Sequence, residues 1–130
     1  MVTRIEHIGL MAADIPALTD WYVAKLGFSI CFVSKEPPFV TFIAKGDGMT
    51  IELFPWKEDF AGPPDGKMRQ VTHICLLSTD LDADIQALSG RGVAFESAPF
   101  PIFGGGRTVF FRDPEGNYLH LVERPILPWA

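Results

Sequence analysis

The sequence predicts an α+β fold made of two consecutive βαβββ modules, and three observations predict it: a repeated strand-like segment, a helix signal after each copy, and three further strand signals after each helix. Residues 5–11 (IEHIGLM) align with residues 71–77 (VTHICLL), and the third position of both is histidine. His7 and His73 are therefore 66 positions apart. A repeat of this length is typical of chains built from one repeated supersecondary unit.

Each first strand is followed by a helix that the sequence marks at its start. Asp14 and Asp80 stand where a helix begins, and an aspartate there accepts hydrogen bonds from the free N–H groups of the first turn. The predicted helices are Ile15–Lys25, which Gly27 ends, and Leu81–Ser89.

Three strands are then predicted in each half: Phe28–Ser34, Phe39–Ala44 and Met49–Phe54 in the first, and Val93–Glu96, Thr108–Arg112 and Tyr118–Val122 in the second. Turns at residues 46–48 (GDG) and 113–117 (DPEGN) join the last two strands of each half. One half of about 60 residues would bury little surface alone, so the halves are expected to share one core or one curved sheet.

Length and composition limit the class of protein. The chain has 130 residues, 48% of them hydrophobic, with a net charge of −5 and two cysteines. It has no basic cluster for nucleic acid, no apolar run near the ~20 residues of a membrane span, and no disulfide framework. We predict a cytoplasmic protein with one domain, residues 1–130, comprising module one (about 4–56), a linker (about 57–69) and module two (about 70–125).

All three histidines occupy repeat-related positions. His120 lies in the last strand of the second half, 47 residues after His73, and Glu52 lies in the matching strand, 45 residues after His7. If the modules pair about a pseudo-twofold axis, these four side chains meet at one point. Imidazole and carboxylate together suit Zn, Ni, Fe or Mn. Alternatively, each histidine is a structural residue and Glu52 faces solvent.

Glu123 is the competing ligand in the last strand. Three positions separate it from His120, which places the two side chains on opposite faces of a strand. We predict His120 as the ligand and Glu123 as a solvated residue at the strand end.

Several segments form a pattern together with these residues: His7, residues 26–28 (LGF), residues 51–53 (IEL), His73 and residues 106–117 (GRTVFFRDPEGN). The pattern resembles the vicinal oxygen chelate superfamily. That superfamily includes glyoxalase I (lactoylglutathione lyase), fosfomycin-resistance thiol transferases, methylmalonyl-CoA epimerase, extradiol dioxygenases and the metal-free bleomycin resistance proteins. The resemblance covers about residues 4–124.

The resemblance implies paired modules that form an open, cup-shaped mixed sheet around one divalent metal ion. It implies His7, Glu52, His73 and His120 as the metal ligands, with His120 where the family commonly has a glutamate. Three histidines and one glutamate would leave the metal site with a net charge near +1. Glu52, the one carboxylate among the four, is also the candidate catalytic base.

Strand alternation predicts which residues line the site. Thr50 and Phe54 share a face with Glu52, and Tyr118 shares one with His120. Tyr118 either donates a hydrogen bond to a bound oxyanion or packs. Residues 99–106 are predicted to form a lid with Phe103 as an apolar contact, and Arg107 is one of several scattered candidates for a substrate anion, or ordinary surface charge.

The resemblance implies a metal-dependent lyase or isomerase of the glyoxalase type, which acts on a small molecule through its enolate or enediolate. The alternatives are an Fe(II) or Mn(II) ring-cleavage-type dioxygenase and a metal-free protein that sequesters a drug-like ligand. A homodimer is expected, with no nucleic acid or membrane partner. Trp56, Phe60 and Trp129 would suit the dimer interface or would cap the core.

Overall fold

A computed structural model of the chain describes residues 1–56 and 73–129. The predicted linker, about 57–69, and Phe60 lie outside the described residues. The chain divides into two compact units, Met1–Gly62 and Pro63–Ala130. Each described unit follows the order strand, helix and three strands. The predicted fold class, two βαβββ modules with open mixed sheets, is confirmed.

The first unit is one four-stranded mixed sheet with a helix. Its strands lie in the order β1-β4-β3-β2, so that the first strand pairs in parallel with the last and the other pairs are antiparallel. The elements are β1 (His7–Ala12), α1 (Ile15–Leu26), β2 (Ser29–Val33), β3 (Thr41–Ala44) and β4 (Thr50–Pro55).

The second unit repeats this arrangement. Its strands lie in the order β5-β8-β7-β6, again with the first strand parallel to the last. The elements are β5 (Ile74–Leu77), α2 (Leu81–Gly90), β6 (Phe100–Pro101), β7 (Arg107–Arg112) and β8 (Tyr118–Glu123). Neither α1 nor α2 has the length and hydropathy needed to span a membrane.

Both helices begin at the predicted aspartates. Asp14 Oδ1 accepts a hydrogen bond from the backbone N–H of Ala17 at 2.9 Å, and Asp80 Oδ1 accepts one from Ala83 at 3.0 Å. Gly27 ends α1 with a φ of 72°, the left-handed conformation that glycine adopts without steric cost. The two helix starts are therefore fixed by local chemistry in the sequence.

In each unit, the hydrophobic core occupies one face of the sheet and leaves the other face available for a functional site. The fully buried side chains of the first unit include Leu18, Tyr22, Ile43 and Leu53, and those of the second include Leu81, Val109, Phe111 and Leu119. In each unit, these residues join the helix to one face of the sheet. The side chains that alternate with them along the strands lie on the other face.

The predicted strand Val93–Glu96 is wrong. Phe95 forms a single isolated bridge with Phe111, and the regular strand β6 follows it at Phe100–Pro101. This edge strand is only two residues long, and its second residue is a proline, which cannot donate to a ladder.

The predicted lid, residues 99–106, contains β6 and the turn that leads to β7. Arg124 Nη1 donates a hydrogen bond to the Phe103 carbonyl at 2.6 Å, and its guanidinium carbon lies 4.8 Å from the centre of the Phe103 ring. The turn is therefore tied to the segment after β8.

Replacing Asp113 by alanine is expected to destabilise the protein by about 2–3 kcal/mol. Buried Asp113 accepts hydrogen bonds at Oδ1 from the backbone N–H groups of Glu115 and Asn117, both at 2.9 Å, and at Oδ2 from Asn117 Nδ2 at 2.8 Å. The alanine leaves these donors without an acceptor. Urea unfolding measures the loss. Asp113→Asn, which keeps an acceptor oxygen, is the control; an equal loss in both variants would contradict this account.

Candidate metal centre

In the first unit, His7 and Glu52 lie together on the face away from the helix. Their strands, β1 and β4, are parallel neighbours, and His7 Nε2 is 4.0 Å from Glu52 Oε1. Both side chains are partly accessible, at 35% and 24%. Ile51 and Leu53, on either side of Glu52, are buried, as strand alternation predicts.

The other imidazole nitrogen of His7 already has a partner. Nδ1 lies 3.0 Å from Glu6 Oε1, and the ring of Phe42 on β3 meets the imidazole edge-on, with centroids 5.3 Å apart. This leaves Nε2 directed to Glu52. A histidine that holds a metal ion commonly donates its second N–H to a carboxylate in this way.

In the second unit, His73 and His120 lie together at the start of β5 and on β8. Their ring centroids are 4.8 Å apart, with the planes inclined at 80°. Phe110 on β7 stacks on His120 with centroids 4.4 Å apart and planes 4° from parallel. The orientation of the His120 ring is therefore fixed by a flat aromatic neighbour.

The two nitrogens of His120 differ in their surroundings. Nδ1 lies 2.8 Å from Thr108 Oγ1, whereas Nε2 is buried and has no hydrogen-bond partner among the described residues. Burial, followed by the electrostatic influence of the neighbouring His73 and Arg124 side chains, lowers the pKa of His120. The neutral imidazole, which is the form that binds metal ions, is thereby favoured. A buried nitrogen without a partner is unfavourable unless a ligand satisfies it, so this atom fits a metal ligand.

Glu123 lies on the opposite face of the second sheet. Its Oε1 accepts a hydrogen bond from the backbone N–H of Leu81 at 3.0 Å, and its Oε2 lies 3.3 Å from Arg107 Nη2. Arg107 also bonds Asp82, and the hydrogen bond to Asp82 is the main cause that raises the pKa of the guanidinium. The structure thus places Glu123 and Arg107 beside α2 and does not bring them to His120.

The other predicted contact residues have mixed surroundings. The Tyr118 hydroxyl donates to Glu96, which raises the pKa of the phenol, and Arg112 lies over the ring at 4.1 Å. Tyr118 therefore packs within a polar cluster. Phe54 lies beside Gly9, where a Cβ atom would come within 2.9 Å of Phe54 Cε1.

Two more predicted residues lie at a strand end and in a turn: Thr50 is the first residue of β4, and Phe103 lies between β6 and β7. Thr50 is opposite His7 in the β1–β4 ladder, and Phe103 is 77% exposed.

Sequence reasoning did not find the aromatic partners Phe42 and Phe110. They occupy equivalent places, because Phe42 is opposite Glu52 and Phe110 is opposite His120 in the two ladders. The repeat itself could have indicated them, since both residues stand in the middle of the strand that pairs with the ligand strand.

Each unit taken by itself brings two of the four predicted ligands together. Within the described parts of the chain, no group of three or more His, Cys, Asp or Glu side chains is arranged to hold a metal ion. The first unit supplies one imidazole and one carboxylate, and the second supplies two imidazoles. Both sets are of the ligand types that Zn, Ni, Fe and Mn accept.

Comparison with known proteins identifies relatives over nearly the full chain. The model of the Glyoxalase/Bleomycin resistance protein/Dioxygenase superfamily matches residues 4–121. The uncharacterized protein YwkD of Bacillus subtilis (strain 168) is 26% identical over 131 aligned positions, which cover 95% of this chain and 99% of the relative.

Solved structures show the same fold. A member of the glyoxalase/bleomycin resistance protein/dioxygenase superfamily from Sphaerobacter thermophilus DSM 20745 is 28% identical and superimposes with a TM-score of 0.77, covering 95% of this chain and 98% of that one. TnmS3, an antibiotic binding protein from Streptomyces sp. CB03234, is 25% identical with a TM-score of 0.76, covering 95% and 97%.

Proposed function

The chain belongs to the glyoxalase/bleomycin resistance protein/dioxygenase superfamily, and from this membership we propose that it is a divalent-metal-dependent enzyme of the glyoxalase type. The reaction class is that of a lyase or isomerase acting on a small molecule with two neighbouring oxygen atoms. The observation that carries the proposal is the buried Nε2 of His120, which has no hydrogen-bond partner among the described residues and stands beside a second imidazole.

In this proposal, both pairs supply ligands to one metal ion: His7, Glu52, His73 and His120. When bound, the metal provides Lewis-acid stabilisation of the negative charge on the oxygens of an enolate or enediolate. The site takes Zn, Ni, Fe or Mn, because these ions share a preference for imidazole with carboxylate.

Glu52 is the proposed base because it is the one carboxylate in the set. It removes the proton from the carbon next to the substrate carbonyl, and the electron pair of that C–H bond moves toward the carbonyl oxygen. Phe42 lies opposite Glu52 in the β3–β4 ladder, and Phe54 is two positions further along β4, so both side chains are on the same sheet face as the carboxylate.

Replacing Glu52 by glutamine is expected to reduce proton exchange by about 100- to 10,000-fold, the usual contribution of a catalytic base. The measurement is exchange of the α-proton with D₂O, followed by NMR, on α-hydroxycarbonyl and thiohemiacetal compounds with the metal-reconstituted protein. Cys31→Ser, an exposed residue outside the site, is the control. Exchange by the glutamine variant at the rate of the original protein would show that Glu52 is not the base.

One relative favours a second candidate function. TnmS3 is described as an antibiotic binding protein. A metal-free protein of this kind would use the aromatic face of Phe110 and Phe100, whose rings are 10° from parallel and 6.2 Å apart, to hold a flat apolar ligand. Tight binding of such a ligand by a protein that takes up no metal would favour this function over the enzyme.

We also propose a homodimer, as expected from the sequence. Trp56 is 57% exposed and Trp129 is 76% exposed, and large exposed aromatic side chains are enriched at protein interfaces. Sedimentation of the purified protein tests the assembly.

A further inference from the structure

We propose that Thr108 is a positioning residue that fixes the proton of His120 on Nδ1, so that Nε2 is presented as an electron-pair donor. The proposal deepens the proposed function, since it names the residue that prepares one ligand for the metal. The expected effect on metal binding rests on the proposed function. The contact between Thr108 and His120 does not, because both residues lie within the second unit.

The hydroxyl group of Thr108 has one proton to donate. It lies 2.7 Å from the backbone carbonyl of Leu121, and a carbonyl oxygen can only accept a hydrogen bond. The same oxygen lies 2.8 Å from Nδ1 of His120. Because the hydroxyl proton is used by Leu121, the second hydrogen bond requires Nδ1–H to donate to Thr108.

The burial of this group makes the arrangement rigid. Thr108 is 1% exposed, so that water cannot replace either partner of its hydroxyl group. A neutral imidazole carries one proton, and with that proton on Nδ1 the other nitrogen has a free lone pair. This is the nitrogen that is buried without a partner. The stack of Phe110 on the imidazole holds the ring plane, while Thr108 determines which nitrogen is protonated.

The first unit offers a comparison for this role. His7 has the exposed carboxylate of Glu6 at its Nδ1, whereas His120 has a buried neutral hydroxyl group. The sequence alone did not indicate a role for Thr108. Its partners, Leu121 and His120, lie on β8, and they can be identified only when the register of β7 against β8 is known.

The test replaces Thr108 by valine, which keeps the shape and removes the hydroxyl group, and by serine, which keeps the hydroxyl group. Thr41→Val is the matched control, because Thr41 is also a buried strand threonine but lies in the other unit. Long-range ¹H–¹⁵N NMR of the metal-free proteins reports which nitrogen of His120 is protonated. Calorimetric titration with Ni²⁺ reports metal affinity.

We expect Nδ1–H in the original protein and in the serine and Thr41→Val variants. The Thr108→Val variant should lose this preference and bind Ni²⁺ about 10- to 100-fold more weakly, the usual effect of removing a partner of a metal ligand. An Nε2–H tautomer in the original protein, or an unchanged tautomer in Thr108→Val, would overturn the proposal. If the original protein shows Nδ1–H but binds no metal, the positioning role stands and the proposed function fails.

Discussion

Replacing His120 by alanine is expected to remove metal binding from the protein. The loss of affinity should exceed the ~10- to 100-fold that follows when only a partner of a ligand is removed, because a directly coordinating nitrogen is lost. Plasma mass spectrometry of untagged protein purified without chelator gives the metal content, and titration of the metal-free protein with Ni²⁺, Zn²⁺, Mn²⁺ and Fe²⁺ gives the affinity. We expect about one equivalent per chain before the substitution.

Glu123→Gln is the matched control for this prediction. The side chain lies in the same strand, but it faces Leu81 and Arg107 rather than His73. The glutamine variant should therefore retain the metal. Retention of metal by His120→Ala together with loss in Glu123→Gln would reverse the assignment of the ligand. Absence of metal from every protein, including after the titration, would contradict the enzyme proposal and favour the binding protein.

Replacing Gly106 by alanine is expected to destabilise the protein by more than about 4 kcal/mol or to prevent folding, an effect far outside the usual range for a single substitution. A Cβ atom at this position would come within 1.9 Å of the backbone oxygen of Glu123 and within 3.0 Å of Arg124 Cα. Neither neighbour is a flexible side-chain end, so the backbone itself would have to move. Urea unfolding, or the yield of folded protein, measures the effect.

Gly92→Ala separates the close approach from the backbone conformation. Gly92 has a φ of 90°, comparable to the 101° of Gly106, but a Cβ atom there would meet no described atom within 4 Å. Its cost should be limited to the strain of a positive φ, roughly 1–2 kcal/mol. Similar losses for both alanine variants would show that the contact with Glu123 relaxes without cost.

The sequence predicted the parts of the fold that depend on local chemistry. The helix starts are marked by the side chains of Asp14 and Asp80, and the end of α1 is marked by Gly27, which has no side chain. The observed helix limits lie close to those predicted. The strand Val93–Glu96 failed because its apolar residues pair only once, at Phe95. Whether a short apolar segment becomes a ladder depends on a distant partner, which periodicity does not report.

In the candidate site, too, the features that depend on local sequence were predicted and those that depend on distant partners were not. Repeat alignment brought His73 and His120 into consideration, and the structure places the two rings side by side. The surroundings of Arg107 could not be predicted, because its partner Asp82 is 25 residues away on a helix. Likewise, Thr108 becomes informative only when the register of β7 against β8 is known. That all four ligands hold one ion remains a prediction.

The parallel pairing of first and last strands has a consequence for the order of assembly during synthesis. His7 is opposite Thr50 in the first ladder, and Ile74 is opposite Leu119 in the second, so that each ladder closes a long loop of chain. Such contacts form late, because the entropy of loop closure must be overcome first. One ligand of each pair lies at or just before the first strand of its unit and the other lies in the last strand, so both ligands are present only after the last strand has been synthesised. A nascent chain therefore offers no preformed pair to capture a metal ion before β4 has emerged.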